Sequence, residues 1–203
     1  MTAISSNLLI GTGNPGKIKE ISLALKGLRL TLRSLDQFPN LIAPVESGET
    51  YAENAVIKAT DYARQTGLCV LADDSGLETD FLNGAPGLHS ARFGPGSDAD
   101  RVDLLLSKLA GTSDSQRKAR FVSVIAIVHP EIGVISIAEG ECRGRINHAP
   151  LGHNGFGYDP VFVPDRYDLT FAQLPSEVKA RISHRAKSLQ IARAVLEDLL
   201  SAA

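Results

Sequence analysis

Cysteine is scarce: only Cys69 and Cys142 occur in 203 residues, far apart and outside any CxxC spacing. That argues against a zinc site or a disulfide framework, and both thiols read as small core residues. Long hydrophobic runs are missing too. The longest, Phe121 to Val128, is too short to span a bilayer, which excludes a membrane protein. No positive charge precedes the short Leu8-Leu9-Ile10 run, so neither a secretory signal nor a transit peptide is expected, and the default location is cytoplasmic. A surplus of either charge is also absent, since 21 Lys and Arg against 23 Asp and Glu give a net charge of −2. No broad basic surface for nucleic acid is expected; an anionic ligand has to be held by local charges or a metal. There is no HExxH motif, nucleophile elbow or Ser-His-Asp signature, and His89, His129, His148 and His153 lack metal-like spacing.

What remains is a soluble composition, 43% hydrophobic and 22% charged, of a length suited to one domain or to two lobes around one sheet. The periodicities predict a mixed α/β chain. Leu8 to Thr12 reads as a strand ending at glycines, and residues 16–26 as a helix with Ile18, Ile21 and Leu25 on one side. Alternation from Leu28 to Leu35 marks a half-exposed strand. A loop over residues 37–48 leads to Thr50-Tyr51-Ala52-Glu53, a capping box that opens a helix to about Gln65. Asn54, Lys58 and Asp61 share its polar side. Residues 68–72 read as a buried strand running into Asp73-Asp74-Ser75-Gly76, where a sharp bend is expected. Residues 99–109 read as a helix, 120–128 and 134–141 as paired strands, and Val161-Phe162-Val163 as a further strand. Ser183 caps a last helix with Leu189, Ala192, Leu196 and Leu199 in an apolar stripe.

The loop Gly11-Thr12-Gly13-Asn14-Pro15-Gly16-Lys17 lies between strand and helix, where backbone donors and the helix dipole favour phosphate. It satisfies GxGxxG and also GxxxxGK. A Walker loop needs Ser or Thr after the lysine, and this chain has Ile18. A dinucleotide-binding reading stays open, because Asp36 lies about 20 residues past Gly16, where an acidic group would hold a ribose. Lys17 favours a more highly charged phosphate chain. A plain capped turn is the third alternative.

Asp73 and Asp74 are expected at the carboxyl end of a strand, and adjacent strand residues point to opposite faces, so one of them is expected to enter a cleft. Glu46 and Glu49 precede the long helix and could face the same space. A sparse acidic set beside a phosphate loop suits a magnesium-bound triphosphate. Lys58, one helical turn beyond Asn54, would help Lys17 neutralise phosphates. In Gly155-Phe156-Gly157-Tyr158-Asp159-Pro160, two aromatics among glycines could stack on a base or could be core residues at a tight turn.

Thr12-Gly13-Asn14 with Lys17, Glu46-Ser47-Gly48 followed by Glu53-Asn54-Ala55, Asp73-Asp74-Ser75-Gly76-Leu77, Gly84-Ala85-Pro86-Gly87, Ser90-Ala91-Arg92, the aromatic glycine loop and Ser183-His184-Arg185 occur in that order over nearly the whole chain. Together they closely resemble the inosine/xanthosine triphosphate pyrophosphatase family. The resemblance implies an elongated mixed sheet with flanking helices, one domain over residues 1–203 with two lobes enclosing a nucleotide cleft, and a homodimer. It implies magnesium-dependent hydrolysis of ITP, dITP or XTP to the monophosphate and pyrophosphate. Carried over by position, Thr12, Gly13, Asn14, Pro15, Gly16 and Lys17 would cradle the phosphates, Asp74 would be general base and metal ligand, and Glu46 would assist the metal. Asn54, Lys58, Ser75, Phe156, Gly157, Tyr158, Asp159, Lys179, His184 and Arg185 would complete the substrate site. Ala186 and Lys187 depart from the family pattern, which usually has glycine after the arginine. A donor such as Arg185 or His184 facing position 6 of the base would accept the oxygen of hypoxanthine or xanthine and leave the amino group of adenine mispaired. Two rivals stay open: a nicotinamide-dependent oxidoreductase built on GxGxxG, and a non-catalytic nucleotide sensor.

Overall fold

The computed structural model describes residues 6–201. Strand β1 (Asn7–Ile10) leads into helix α1 (Pro15–Ala24) and strand β2 (Thr31–Ser34). Asn14 caps α1, its side chain accepting from the Lys17 N–H, and Pro15 occupies the first turn, where a missing N–H costs nothing. Helix α2 (Tyr51–Thr66) opens on the expected capping box: Thr50 accepts from the Glu53 N–H, and the Glu53 carboxylate accepts from the Thr50 N–H. It ends at Gly67 in the left-handed region, where glycine carries no Cβ penalty.

Strand β3 (Cys69–Thr79) corrects the sequence expectation. No bend follows Asp73-Asp74; the chain stays extended through Ser75 and Gly76, so both aspartates sit within a long strand rather than at its end. Helix α3 (Asp98–Lys108) and strands β4 (Lys118–His129) and β5 (Gly133–Ile146) follow, then the short β6 (Phe162–Pro164). Helix α4 (Ser176–Ile182) has no counterpart in the sequence reading. Helix α5 (His184–Ser201) closes the chain.

The six strands form one sheet in the order β2-β1-β3-β4-β5-β6. β1 is parallel to β2 and β3, while β5 and β6 are antiparallel, so the sheet is mixed as expected. The parallel part arises because α1 and α2 carry the crossovers. The chain divides into two compact units. The first contains the described residues up to Asp74, Ser123–Gly140 and those from Arg185 onward; the second contains Ser75–Val122 and Glu141–His184. The first core gathers Leu8, Ile10, Ile21, Leu71, Ile125 and Ile127 with the stripe Leu189, Ala192 and Leu196 of α5. That stripe is therefore core-facing. The second core gathers Leu77, Leu105, Phe121, Tyr158, Phe162 and Phe171. Cys69 lies in the first and Cys142 in the second, both as free thiols. Among the described residues, no helix is long and apolar enough to cross a membrane.

Candidate active site

In the first unit, the loop between β1 and α1 is shaped by two glycines with different reasons. A Cβ at Gly11 would press on Ala72, Val70 and Tyr62, so this residue is small for packing. A Cβ at Gly13 would meet nothing within 4 Å, so space lies over that backbone, as a closely approaching ligand needs. The Thr12 hydroxyl accepts from the Asn14 N–H at 3.2 Å, and the Asn14 carboxamide oxygen from the Lys17 N–H at 3.1 Å. Thr12, Gly13, Asn14, Pro15 and Gly16 thus form a turn braced by its own side chains, with Lys17 on the first turn of α1.

Lys17 Nζ lies 2.7 Å from Asp73 Oδ2. Lys58 Nζ lies 2.7 Å from Asp74 Oδ1, 3.4 Å from Glu46 Oε1, and donates to the Asp73 carbonyl oxygen at 2.9 Å. Lys58 and Asn54, expected on a polar helix side, are both buried. The reason for Lys58 is its two carboxylates. Asn54 is spent on the chain itself: its oxygen accepts from the Gly48 N–H at 2.8 Å and its amide nitrogen donates to the Gly48 carbonyl at 3.4 Å. Asn54 thus clamps the loop that carries Glu46 to the start of α2.

Arg185, at the start of α5, is 2% exposed. Nε donates to Asp73 Oδ1 at 3.2 Å, Nη2 to Asp73 Oδ2 at 3.4 Å and Nη1 to Glu20 Oε2 at 2.6 Å. A guanidinium can be buried only against such compensation. The Ser123 hydroxyl donates to Asp73 Oδ1 at 2.6 Å and lies 2.9 Å from the Ser188 hydroxyl. Sequence reasoning missed Glu20, Ser123 and Ser188. Only Glu20 left a signal, lying three residues past Lys17 on the same side of α1.

The neighbouring aspartates are tuned in opposite directions. Burial pushes the Asp73 carboxyl up, but Arg185 and Lys17 outweigh it and hold the group well below the usual carboxylate range. Burial pushes Asp74 up, and Lys58 offsets that only in part, so the net shift is upward. For Lys17 burial is the main influence and lowers its pKa against the opposing pull of Asp73.

In the second unit, the aromatic glycine loop resolves its two readings residue by residue. Tyr158 is a core residue, its hydroxyl donating to the Ser90 carbonyl at 2.9 Å, with burial pushing its pKa up to about 12. Its ring is unavailable to a ligand, which leaves its backbone. The Ser90 hydroxyl in turn accepts from the Leu77 N–H and donates to the Gly87 carbonyl, which explains the serine in Ser90-Ala91-Arg92. Phe156 is half-buried, and Lys179 Nζ lies 4.7 Å from its ring centroid, a cation–π distance. Lys179 on α4 pairs with Asp159 at 2.5 Å, and Asp159 also accepts from the Phe156 N–H at 2.9 Å. Gly157 donates its N–H to Asp98. His184 is 4% exposed and stacks on Phe121, ring centroids 4.6 Å apart and planes 11° from parallel. Ser75 lies on β3, half-buried. Asp36 is on a 3-10 turn after β2, its carboxylate accepting from the Ser34 hydroxyl.

Among the described residues, no group of three or more His, Cys, Asp or Glu side chains is placed to hold a metal. The pair Glu46 and Asp74 nevertheless fits a hard divalent cation that takes one or two carboxylates and completes its shell with phosphate and water. Both already lie against the positive charge of Lys58.

The arrangement has counterparts of known structure and name. A dITP/XTP pyrophosphatase of Desulforamulus reducens is 46% identical over 194 residues, 95% of this chain and 96% of that protein. One from Nostoc is 45% identical over 183 residues, 89% of each. The structure of a HAM1 protein from Coxiella burnetii superposes with a TM-score of 0.85 at 37% identity, covering 95% of this chain and 98% of that one. The family model described as Ham1 matches residues 8–195, and with these likenesses over nearly the full length the chain belongs to the Ham1 family.

Proposed function

We propose that the chain is a nucleoside triphosphate pyrophosphohydrolase that converts ITP, dITP or XTP and water to the monophosphate and pyrophosphate, with Mg²⁺. The observation that carries this reading is the pairing of Lys58 with Asp74 and Glu46 at 2.7 and 3.4 Å, beside an upward-shifted Asp74. The names of the relatives, dITP/XTP pyrophosphatase, support the substrate class.

Charge arithmetic supports the metal. In the first unit three cations, Lys17, Lys58 and Arg185, are engaged with four carboxylates, Glu20, Glu46, Asp73 and Asp74. Such a cluster repels a triphosphate unless further positive charge joins it. Glu46 and Asp74 would hold a divalent ion, which when bound would supply that charge, polarise a phosphoryl oxygen and make water more acidic. Lys17 and the turn from Thr12 to Gly16 bind the phosphate chain through an ammonium and backbone donors. Lys58 holds Asp74 in place, and Asp74 accepts the proton of the attacking water as the bond between the α and β phosphates is cleaved. Its raised pKa makes it a stronger base than an ordinary carboxylate. Taken by itself, the second unit presents Phe156 as a half-buried aromatic ring of the kind a base stacks on.

The test is pyrophosphate release from ITP, XTP, dITP, GTP and ATP with and without Mg²⁺. The expected order places ITP, XTP and dITP above GTP and ATP, with activity lost on chelation. Equal rates on all five, or metal-independent turnover, contradict the reading.

A further inference from the structure

Asp73 is fully buried and has no part in the reaction above. It nevertheless accepts from three side chains on three elements: Lys17 of α1, Ser123 of β4 and Arg185 of α5. Arg185 continues to Glu20, which returns to α1. The four charges therefore close a ring, Lys17–Asp73–Arg185–Glu20, that begins and ends on one helix within three residues. Burying Asp73 and Arg185, with Lys17 and Glu20 half-buried beside them, is an expensive way to hold a strand, because apolar side chains of similar volume would do so at least as well. The ring has another property: it fixes an ammonium. A lysine side chain has several freely rotating bonds, and a salt bridge to a rigid partner restricts them before any ligand arrives.

We propose that Asp73 is a positioning residue that holds the Lys17 ammonium and the first turn of α1 in place for the triphosphate, with Arg185 fixing Asp73 from the other side. What Lys17 is held for rests on the pyrophosphohydrolase reading; that it is held does not.

The experiment is a double-mutant cycle on the full chain, read by ITP turnover and by acetylation of the Lys17 amine with acetic anhydride followed by mass spectrometry. Lys17→Met and Asp73→Asn are each expected to lower kcat/KM about 100-fold, as loss of one positioned donor does. The two losses should divide alike between kcat and KM, and the double variant should lose no more than about threefold beyond Lys17→Met. In Asp73→Asn the Lys17 amine should acetylate about tenfold faster, a change equal to one pKa unit. Arg185→Lys keeps the charge and loses the fork that grips Asp73; about a tenfold loss of turnover with faster labelling of Lys17 is expected. If Asp73→Asn does not fold, Ser123→Ala leaves all four charges in place and is expected to move rate and labelling in the same directions, about threefold. Additive losses near 10⁴-fold, or unchanged labelling in Asp73→Asn or Ser123→Ala, would each overturn the proposal. If the unaltered protein releases no pyrophosphate from any triphosphate, the functional reading fails, while the labelling still decides whether Asp73 holds Lys17.

Discussion

Asp73 and Asp74 are consecutive on β3, yet their carboxylates serve different lysines: Lys17 lies 2.7 Å from Asp73 and Lys58 2.7 Å from Asp74. The alternation of a strand separates the two pairs. Their environments then separate the two acids, one held ionised deep into the acid range and one pushed upward.

Asp74→Asn is expected to abolish nearly all turnover, about 10³-fold or more, because the group that takes the proton is gone. Stability should move the other way. A carboxyl whose folded-state pKa is raised favours the fold below its unfolded pKa and loses that contribution as pH rises through the folded value. At neutral pH its ionisation opposes folding, so the asparagine variant should melt no lower than the parent. Thermal unfolding across the weakly acid to neutral range checks this, and a large drop in Tm at neutral pH would contradict it.

Asp73→Asn should behave in the opposite sense. A depressed folded-state pKa contributes stability that is present above the unfolded pKa and lost as pH falls through the folded one. Removing the charge leaves the buried Arg185 and the half-buried Lys17 with one acceptor fewer, a change that costs about 3–5 kcal/mol. Denaturant unfolding at neutral pH measures this cost, and the deficit against the parent should shrink only in strong acid.

Asn54→Ala tests the clamp on the loop of Glu46. The Gly48 N–H loses its acceptor, which should cost about 1–3 kcal/mol of stability. The half-saturating Mg²⁺ concentration should rise, while the preference among purines stays the same. A changed purine preference would place Asn54 against the substrate.

The aromatic loop gives a contrasting pair. Tyr158→Phe removes one buried hydrogen bond to the Ser90 carbonyl and should cost about 1 kcal/mol of stability with KM unchanged. Phe156→Ala should leave stability nearly intact and weaken nucleotide binding by about 1–3 kcal/mol, the worth of a base stack. Urea unfolding and nucleotide titration distinguish the two.

The parts legible in the sequence were those set by neighbours in the chain. Thr50 and Glu53 announced the start of α2, and Leu189, Ala192 and Leu196 announced the buried face of α5, because capping and helical period are local. The course of β3 was not, since Ser75-Gly76 favours a bend in isolation and remains extended only within the sheet. Helix α4 was missed because seven residues after Pro175 carry too little apolar pattern. Lys58, Asn54 and Arg185 read as exposed polar residues because their partners, Asp74, Gly48 and Asp73, are distant in sequence or on other elements. The ordered motifs supplied the candidate residues; how they pair required the fold.

Cleavage between the α and β phosphates of a deaminated purine triphosphate is read by ³¹P NMR of ITP incubated with the protein and Mg²⁺. Resonances of inosine monophosphate and pyrophosphate are expected to grow together in equal amounts, and to be absent with Asp74→Asn. Appearance of the diphosphate with orthophosphate, or an unchanged ITP spectrum, would contradict that cleavage.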